Sequence, residues 1–176
     1  MGSINQIKLG VLFLLAQVVW VYGQEQIPWS PDFRLNWANF KGDVPNGANA
    51  AATTASGISY DFSTYHEGGD MKVNFNVHAY FYPTRSWYRP KVCNDNTLLH
   101  EQLHFNITEL YARKLRARLQ NASFGKNIKE EVRKIYKATL RQLNDFQNKY
   151  DAETNYSRNL TVQERWVGEI EAALKQ

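Results

Sequence analysis

The sequence contains 176 residues, of which 43% are hydrophobic and 14% aromatic, and its formal net charge at pH 7 is +4. This length and composition predict one globular domain with a substantial buried core, and they exclude a disordered chain. The small charge, with acidic and basic residues interleaved, argues against nucleic acid as a partner. Cys93 is the single cysteine, which excludes an internal disulfide.

Residues 1–23 have the features of a secretory signal peptide. Lys8 is followed by an apolar run over residues 9–22, and the small Gly23 precedes polar residues. The run is shorter than a comfortable membrane span, and the alternative to a signal peptide is an uncleaved anchor. We therefore expect a mature domain of residues 24–176 that is secreted or periplasmic and has no stable membrane span after cleavage.

A two-residue period predicts a β-hairpin in the first half of this domain. Apolar and polar residues alternate over residues 57–81, on both sides of a turn-like segment at residues 66–70. This is the pattern of half-buried antiparallel strands. Upstream, residues 33–40 are predicted to form a short strand and turn. Residues 42–55, rich in Gly, Asn, Ala and Thr, are predicted to form a loop.

After the hairpin the period becomes that of an α-helix. The first helix is predicted to begin near Asn96 or Thr97, either of which can cap it, and to fade over residues 121–125. The second is predicted for residues 126–149. The third is predicted for residues 161–174, because its first residues, TVQE, have the form of a capping box. Strands followed by helices, without alternation, predict an α+β domain.

The segment His100-Glu101-Gln102-Leu103-His104 lies in the first predicted helix. Residues four apart lie one turn from each other on the same helix face, so His100 and His104 can bind the same zinc ion. Glu101 lies beside this face, where its carboxylate can act on a water molecule at the metal. This is the H-E-x-x-H signature of metallopeptidases. The alternative is a pair of partly buried histidines that contact the helix backbone.

The histidine face of this helix also carries apolar residues. Ile107, Tyr111 and Leu115 follow the two histidines at helical spacing, so the face is expected to point into the protein. Tyr111 is expected to be a core residue, with stabilisation of an oxyanion as the alternative. Glu109 lies nearly opposite the histidines and is therefore expected to form a salt bridge instead of binding the metal.

A catalytic zinc ion normally has three protein ligands, and the residues leave the third one open. His66 and His78 belong to the hairpin and are expected to be surface histidines. Asp151 or Glu153, in the segment 150–157 between the second and third predicted helices, can supply a carboxylate oxygen. Either acid could instead cap a helix or belong to a turn.

Six segments carry a resemblance to a known family. They are LNWANFKG (35–42), AATTASGISYDF (51–62), FYPTRSW (81–87), HEQLHFNITELYARKLR (100–116), YDAETNYS (150–157) and VQERW (162–166). In them the chain resembles an uncharacterised bacterial family of predicted secreted zinc-dependent proteases, in particular its members from Bacteroidetes-type bacteria. The resemblance implies a zincin-like fold, in which a small antiparallel sheet packs on the H-E-x-x-H helix and two further helices follow.

One position departs from the pattern of that family. Its last motif usually reads Y-D-x-E-T-x-H, which implies that the histidine is the third zinc ligand, but this chain has Tyr156 there. A phenol has a reference pKa of about 10 and must lose its proton to bind a metal well. The third ligand is therefore expected among Tyr156, Asp151 and Glu153.

These observations predict a zinc-dependent metallopeptidase that hydrolyses peptide bonds in a peptide or protein substrate. His100 and His104 are the expected zinc ligands, and Glu101 is the expected general base. One alternative is a non-catalytic exported binding or assembly module that keeps the fold but has a degenerate metal site. Another is a structural domain without a metal.

Overall fold

The structure is a computed structural model that describes residues 25–68 and 70–175. The predicted signal peptide, residues 1–23, lies outside the described residues and stays a prediction. Among the helices of the described chain, none is both long and apolar enough to cross a membrane.

Strands occupy the first part of the described chain and helices the second, which confirms the predicted α+β class. The strands are β1 (Ile27–Pro28), β2 (Ala52–Thr53), β3 (Ser56–Glu67), β4 (Asp70–Phe81) and β5 (Trp87–Tyr88). The helices are α1 (Asp95–Gln120), α2 (Ile128–Glu153) and α3 (Leu160–Leu174). Short 3₁₀ helices lie at Trp37–Asn39 and Pro83–Arg85.

β3 and β4 form the predicted antiparallel hairpin, with 12 residues in each strand. The turn is shorter than the predicted segment 66–70, because His66 and Glu67 still pair with β4. Gly68 lies in the turn with φ at +61°, a conformation that glycine adopts without steric cost. β1 pairs antiparallel with the end of β4, so the strand order is β1-β4-β3, while β2 and β5 form a separate small pair.

The segment before the hairpin differs from the prediction. Residues 33–40, predicted to form a short strand and turn, contain the 3₁₀ helix Trp37–Asn39 and no strand. Asn36 caps this helix, and its backbone N–H in turn donates to the side chain of Asn39. These local bonds satisfy backbone groups that a strand would pair with a neighbouring strand. The predicted loop 42–55 also contains β2, since residues near its end pair with β5.

Asparagines cap α1 and α3, whereas the predicted starts were Asn96 or Thr97 for α1 and Thr161 for α3. The side chain of Asn94 accepts a hydrogen bond from the backbone N–H of Thr97 at 3.0 Å, so α1 begins one residue before the earliest predicted start. The side chain of Asn159 accepts from the backbone N–H of Val162, so α3 begins one residue before Thr161. Asparagine is among the most favourable N-cap residues.

α1 is the central element of the domain and packs against β4, β3, α2 and α3. The predicted inward face is confirmed, since His100, Ile107, Tyr111 and Leu115 are all buried. Tyr111 belongs to the core, where its ring packs on that of Phe146 at 5.5 Å between centroids. Burying a large apolar side chain in this way stabilises the fold by roughly 1.5–3 kcal/mol.

Glu109 forms the expected salt bridge and lies away from the histidines. Its carboxylate accepts hydrogen bonds from Arg113 Nε and Arg116 Nη1, each at 3.1 Å. Arg116 Nε also donates to the carbonyl oxygen of Val77 in β4, at 3.0 Å. Arg113 Nη1 donates to the carbonyl oxygen of Leu174, at the end of α3. The buried carboxylate therefore orients two arginines that join α1 to the sheet and to α3.

Replacing Glu109 by Gln is expected to lower the free energy of unfolding by about 2–3 kcal/mol, because two partly buried guanidinium groups lose their counter-charge. Urea denaturation measures the change. Glu169→Gln is the matched control, since it breaks an exposed pair with Arg165 and should cost no more than about 0.5 kcal/mol. Equal losses in the two variants would contradict the role given to Glu109.

Candidate metal site

The last turn of α2 brings a carboxylate to the two histidines of α1. The predicted end of α2 at Lys149 is wrong, because the helix continues to Glu153 and includes Asp151. Tyr150 is fully buried in this turn, and its ring stacks on that of His100 with 4.5 Å between centroids. The burial of this tyrosine holds the turn in the helix and places the next residue, Asp151, against the histidines.

The side chains of His100, His104 and Asp151 converge. Asp151 Oδ1 lies 3.0 Å from His100 Nε2 and 2.9 Å from His104 Nε2, and the two Nε2 atoms are 3.2 Å apart. Two ligands of a tetrahedral zinc ion, each at about 2.0–2.1 Å, lie roughly 3.3 Å from each other. The three atoms are therefore spaced closely enough to bind one metal ion.

Glutamines contact the other nitrogen of each imidazole. Gln163 Oε1 lies 3.1 Å from His100 Nδ1, and Gln147 Oε1 contacts His104 Nδ1. Gln163 belongs to α3 and is 1% exposed, whereas Gln147 lies on α2, one turn before Asp151. Sequence reasoning singled out neither glutamine. The spacing of four residues between Gln147 and Asp151 is a signal that could have found the first.

Glu101 is buried beside the cluster, with 4% of its surface exposed. Its Oε2 atom has no hydrogen-bond partner within the described part of the chain. An ionised oxygen in such a place is costly unless a positive charge or a donor compensates it. The side chain is therefore suited to act on a group that binds next to the cluster.

Burial and neighbouring charges shift the pKa values of the site. Burial lowers the pKa of His104, but its hydrogen bond with Asp151 and the negative charges of Glu101 and Asp151 outweigh burial, and the pKa is raised. Burial raises the pKa of Asp151, but hydrogen bonds with the two histidines and their charges hold it well below its usual range. Burial, with the charges of Glu101 and Asp151, raises the pKa of Tyr150 well above its usual range. At neutral pH, Asp151 is therefore ionised and Tyr150 is neutral.

The other acids and histidines proposed from the sequence lie elsewhere. Glu153 faces α3, where its Oε2 accepts hydrogen bonds from Arg165 Nη2 at 2.7 Å and Trp166 Nε1 at 2.9 Å. His66 and His78 are exposed on the hairpin. The structure thus brings Asp151, and not Glu153, to the two histidines.

Tyr156 lies in the loop between α2 and α3, and 61% of its surface is exposed. Asn155, Tyr156 and Ser157 have φ values of 47°, 53° and 71°, in the left-handed region that costs a non-glycine residue roughly 1–2 kcal/mol. The backbone N–H of Tyr156 donates to the carbonyl oxygen of Asp151 at 2.9 Å, and the Asn96 side chain donates to that of Ser157. The exposed phenol does not join the cluster.

Comparison with known proteins identifies a bacterial family. The sequence profile described as "Bacterial protein of unknown function (DUF922)" matches residues 32–158. Neither the curated proteins nor the solved structures contain a significant match. The matched range includes the cluster of His100, His104 and Asp151, and it ends before Gln163.

Ser157→Gly is expected to raise the free energy of unfolding by about 0.5–1 kcal/mol, because glycine relieves the left-handed strain at this position. Ser63→Gly in β3 is the control. Ser63 is not among the described residues with positive φ, so glycine there should lower stability by about 0.5–1 kcal/mol. Urea denaturation measures both changes, and a loss of stability at residue 157 would contradict the prediction.

Proposed function

The chain belongs to the bacterial family DUF922, and we propose that it is a zinc-dependent peptidase whose metal ligands are His100, His104 and Asp151. One observation carries the proposal. Two imidazole Nε2 atoms and an ionised carboxylate oxygen lie within 3.2 Å of each other, next to the buried carboxylate of Glu101.

The donor set fits zinc. Imidazole nitrogen and carboxylate oxygen are ligands that zinc accepts, and catalytic zinc sites have three protein ligands with one position left for water or substrate. Asp151 is ionised at neutral pH, as a carboxylate ligand must be. The bound ion would polarise the carbonyl group of the scissile peptide bond and lower the pKa of the attacking water.

The protein groups around the ligands supply the remaining chemistry. Glu101 Oε2 accepts a proton from the attacking water and then donates it to the nitrogen of the leaving amine. Thr54 Oγ1 donates to the carbonyl oxygen of Glu101 at 3.2 Å and so helps to hold this part of α1 in place. The neutral ring of Tyr150 covers His100 from the inner side of the domain and excludes water there.

The arrangement of the elements supports a zincin-like fold as part of the same proposal. An antiparallel hairpin precedes α1 in the chain and packs against it, and α2 and α3 also pack against α1. The substrate is a peptide or protein, encountered outside the cytoplasm if the predicted signal peptide directs export.

We expect the purified protein to bind about one zinc ion per chain, and Asp151→Asn to weaken binding at least about 10-fold, because a neutral amide is a poor zinc ligand. Competition with a chromophoric zinc chelator measures the affinity. Glu153→Gln is the matched control, since Glu153 lies two residues away and contacts Arg165 instead of the histidines. Zinc affinity that is absent, or equally reduced in both variants, would exclude this ligand set.

Glu101→Gln is expected to keep zinc affinity and to lower peptide hydrolysis by roughly 10²–10⁴-fold, because an amide cannot accept the proton of water. Mass spectrometry of a broad peptide library, incubated with the zinc-loaded protein, measures cleavage. The exposed Glu164→Gln is the control and should cleave as the wild type does. Equal cleavage by wild type and Glu101→Gln would refute the peptidase proposal. Zinc binding without cleavage by the wild type would favour a binding or assembly module.

A further inference from the structure

We infer that Gln163 and Gln147 are positioning residues that fix the tautomers of His100 and His104. Each glutamine oxygen accepts a hydrogen bond from the Nδ1–H group of one ring, so that both Nε2 lone pairs face Asp151. This proposal deepens the proposed function and rests on it in one respect: oriented lone pairs have a role only if the cluster binds a metal. The tautomers themselves follow from hydrogen bonds of the described residues.

The hydrogen bonds donated by Gln163 Nε2 determine the orientation of its side-chain amide. Gln163 Nε2 donates to the backbone oxygen of Asn96 at 3.0 Å and to Asn96 Oδ1 at 2.6 Å. The Asn96 amide is oriented in turn, because its Nδ2 donates to the backbone oxygen of Ser157. Backbone oxygens only accept, so this chain of bonds leaves Gln163 Oε1 facing His100 Nδ1. His100 therefore carries its proton on Nδ1.

The amide of Gln147 is oriented by its hydrogen bonds in the same way. Its Nε2 donates to the backbone oxygen of His104 at 3.2 Å and to Thr108 Oγ1 at 3.3 Å. The Thr108 hydroxyl donates a hydrogen bond to the backbone oxygen of His104 at 3.0 Å, so its oxygen is free to accept one from Gln147. Gln147 Oε1 is therefore the atom that contacts His104 Nδ1. His104 also carries its proton on Nδ1.

When both rings are neutral, they therefore present lone pairs to each other and to Asp151 Oδ1. These three acceptors lie within 3.2 Å of one another, an arrangement that attracts a cation. If either ring carried its proton on Nε2, that proton would bond to Asp151 and block the ligand atom. The glutamines disfavour this second tautomer, because each one accepts a hydrogen bond from Nδ1–H. Groups that orient ligating histidines in this way typically change metal affinity about 10–100-fold.

Long-range ¹H–¹⁵N NMR of the metal-free protein, at a pH where both rings are neutral, reads the tautomers directly. The expected result is a protonated Nδ1 and an unprotonated Nε2 in both rings. A neutral ring in the wild type that carries its proton on Nε2 would overturn the inference. This measurement requires neither metal nor activity. A wild type with the expected tautomers but without zinc affinity would refute the proposed function alone.

Variants test whether the glutamines cause the tautomers. Gln163→Met and Gln147→Met keep the side-chain size but remove the acceptor. They should populate the Nε2–H tautomer of the ring they contact and weaken zinc binding about 10–100-fold. Gln142→Met is the matched control, because Gln142 lies on α2 and bonds to Arg118 instead of a histidine. Circular dichroism confirms folding.

Folded methionine variants with wild-type tautomers and zinc affinity would overturn the inference. If a methionine variant does not fold, the tautomers of the wild type still decide the outcome.

Discussion

The packing of α2 against α1 is the constraint on which the candidate site depends. Asp151 follows His100 by 51 residues in the chain, so only this contact brings their side chains together. Tyr150 holds the contact, since its ring stacks on His100, meets His104 edge-on at 5.1 Å and lies 5.3 Å from Trp166 of α3. One buried aromatic ring thus joins all three helices around the cluster.

The two carboxylates of the site have different surroundings and suit different tasks. Asp151 is shared by two imidazoles, which hold it ionised and in place. Glu101 is more deeply buried, and within the described residues its Oε2 has no partner. A paired carboxylate is suited to bind an ion, whereas an unpaired one beside it is suited to accept a proton. The zinc-peptidase proposal assigns the two acids to these roles.

Features that depend on spacing within one helix could be predicted from the sequence. The period of α1 predicted its buried face, the position of His104 one turn from His100, and the separation of Glu109 from both. The alternating pattern of residues 57–81 predicted β3 and β4, because it too depends only on residues that are close together in the sequence. The predicted lengths of the two strands were less accurate, since the pairing of β3 with β4 continues through residues that favour turns.

Features that depend on contacts between helices could not be predicted with the same certainty. Turn-forming residues follow the last turn of α2 directly, and the burial of Tyr150 helps to explain why the helix continues as far as Glu153. That continuation separates Asp151 from Glu153, which faces α3 instead. Gln163 carries no sequence pattern of its own, so its contact with His100 emerges only from the packing of α3 on α1. Gln147 precedes Asp151 by one helical turn, but its contact with His104 still depends on the packing of α2 on α1.

α3 is attached to α1 near both of its ends, through Gln163 to Asn96 and through Leu174 to Arg113. Because Gln163 also contacts His100, undocking of α3 would free one side of that imidazole. Any cation that prefers the oriented ring therefore shifts the equilibrium toward the docked helix. A cation bound at the cluster should therefore slow amide hydrogen exchange along α3, although α3 itself supplies no ligand.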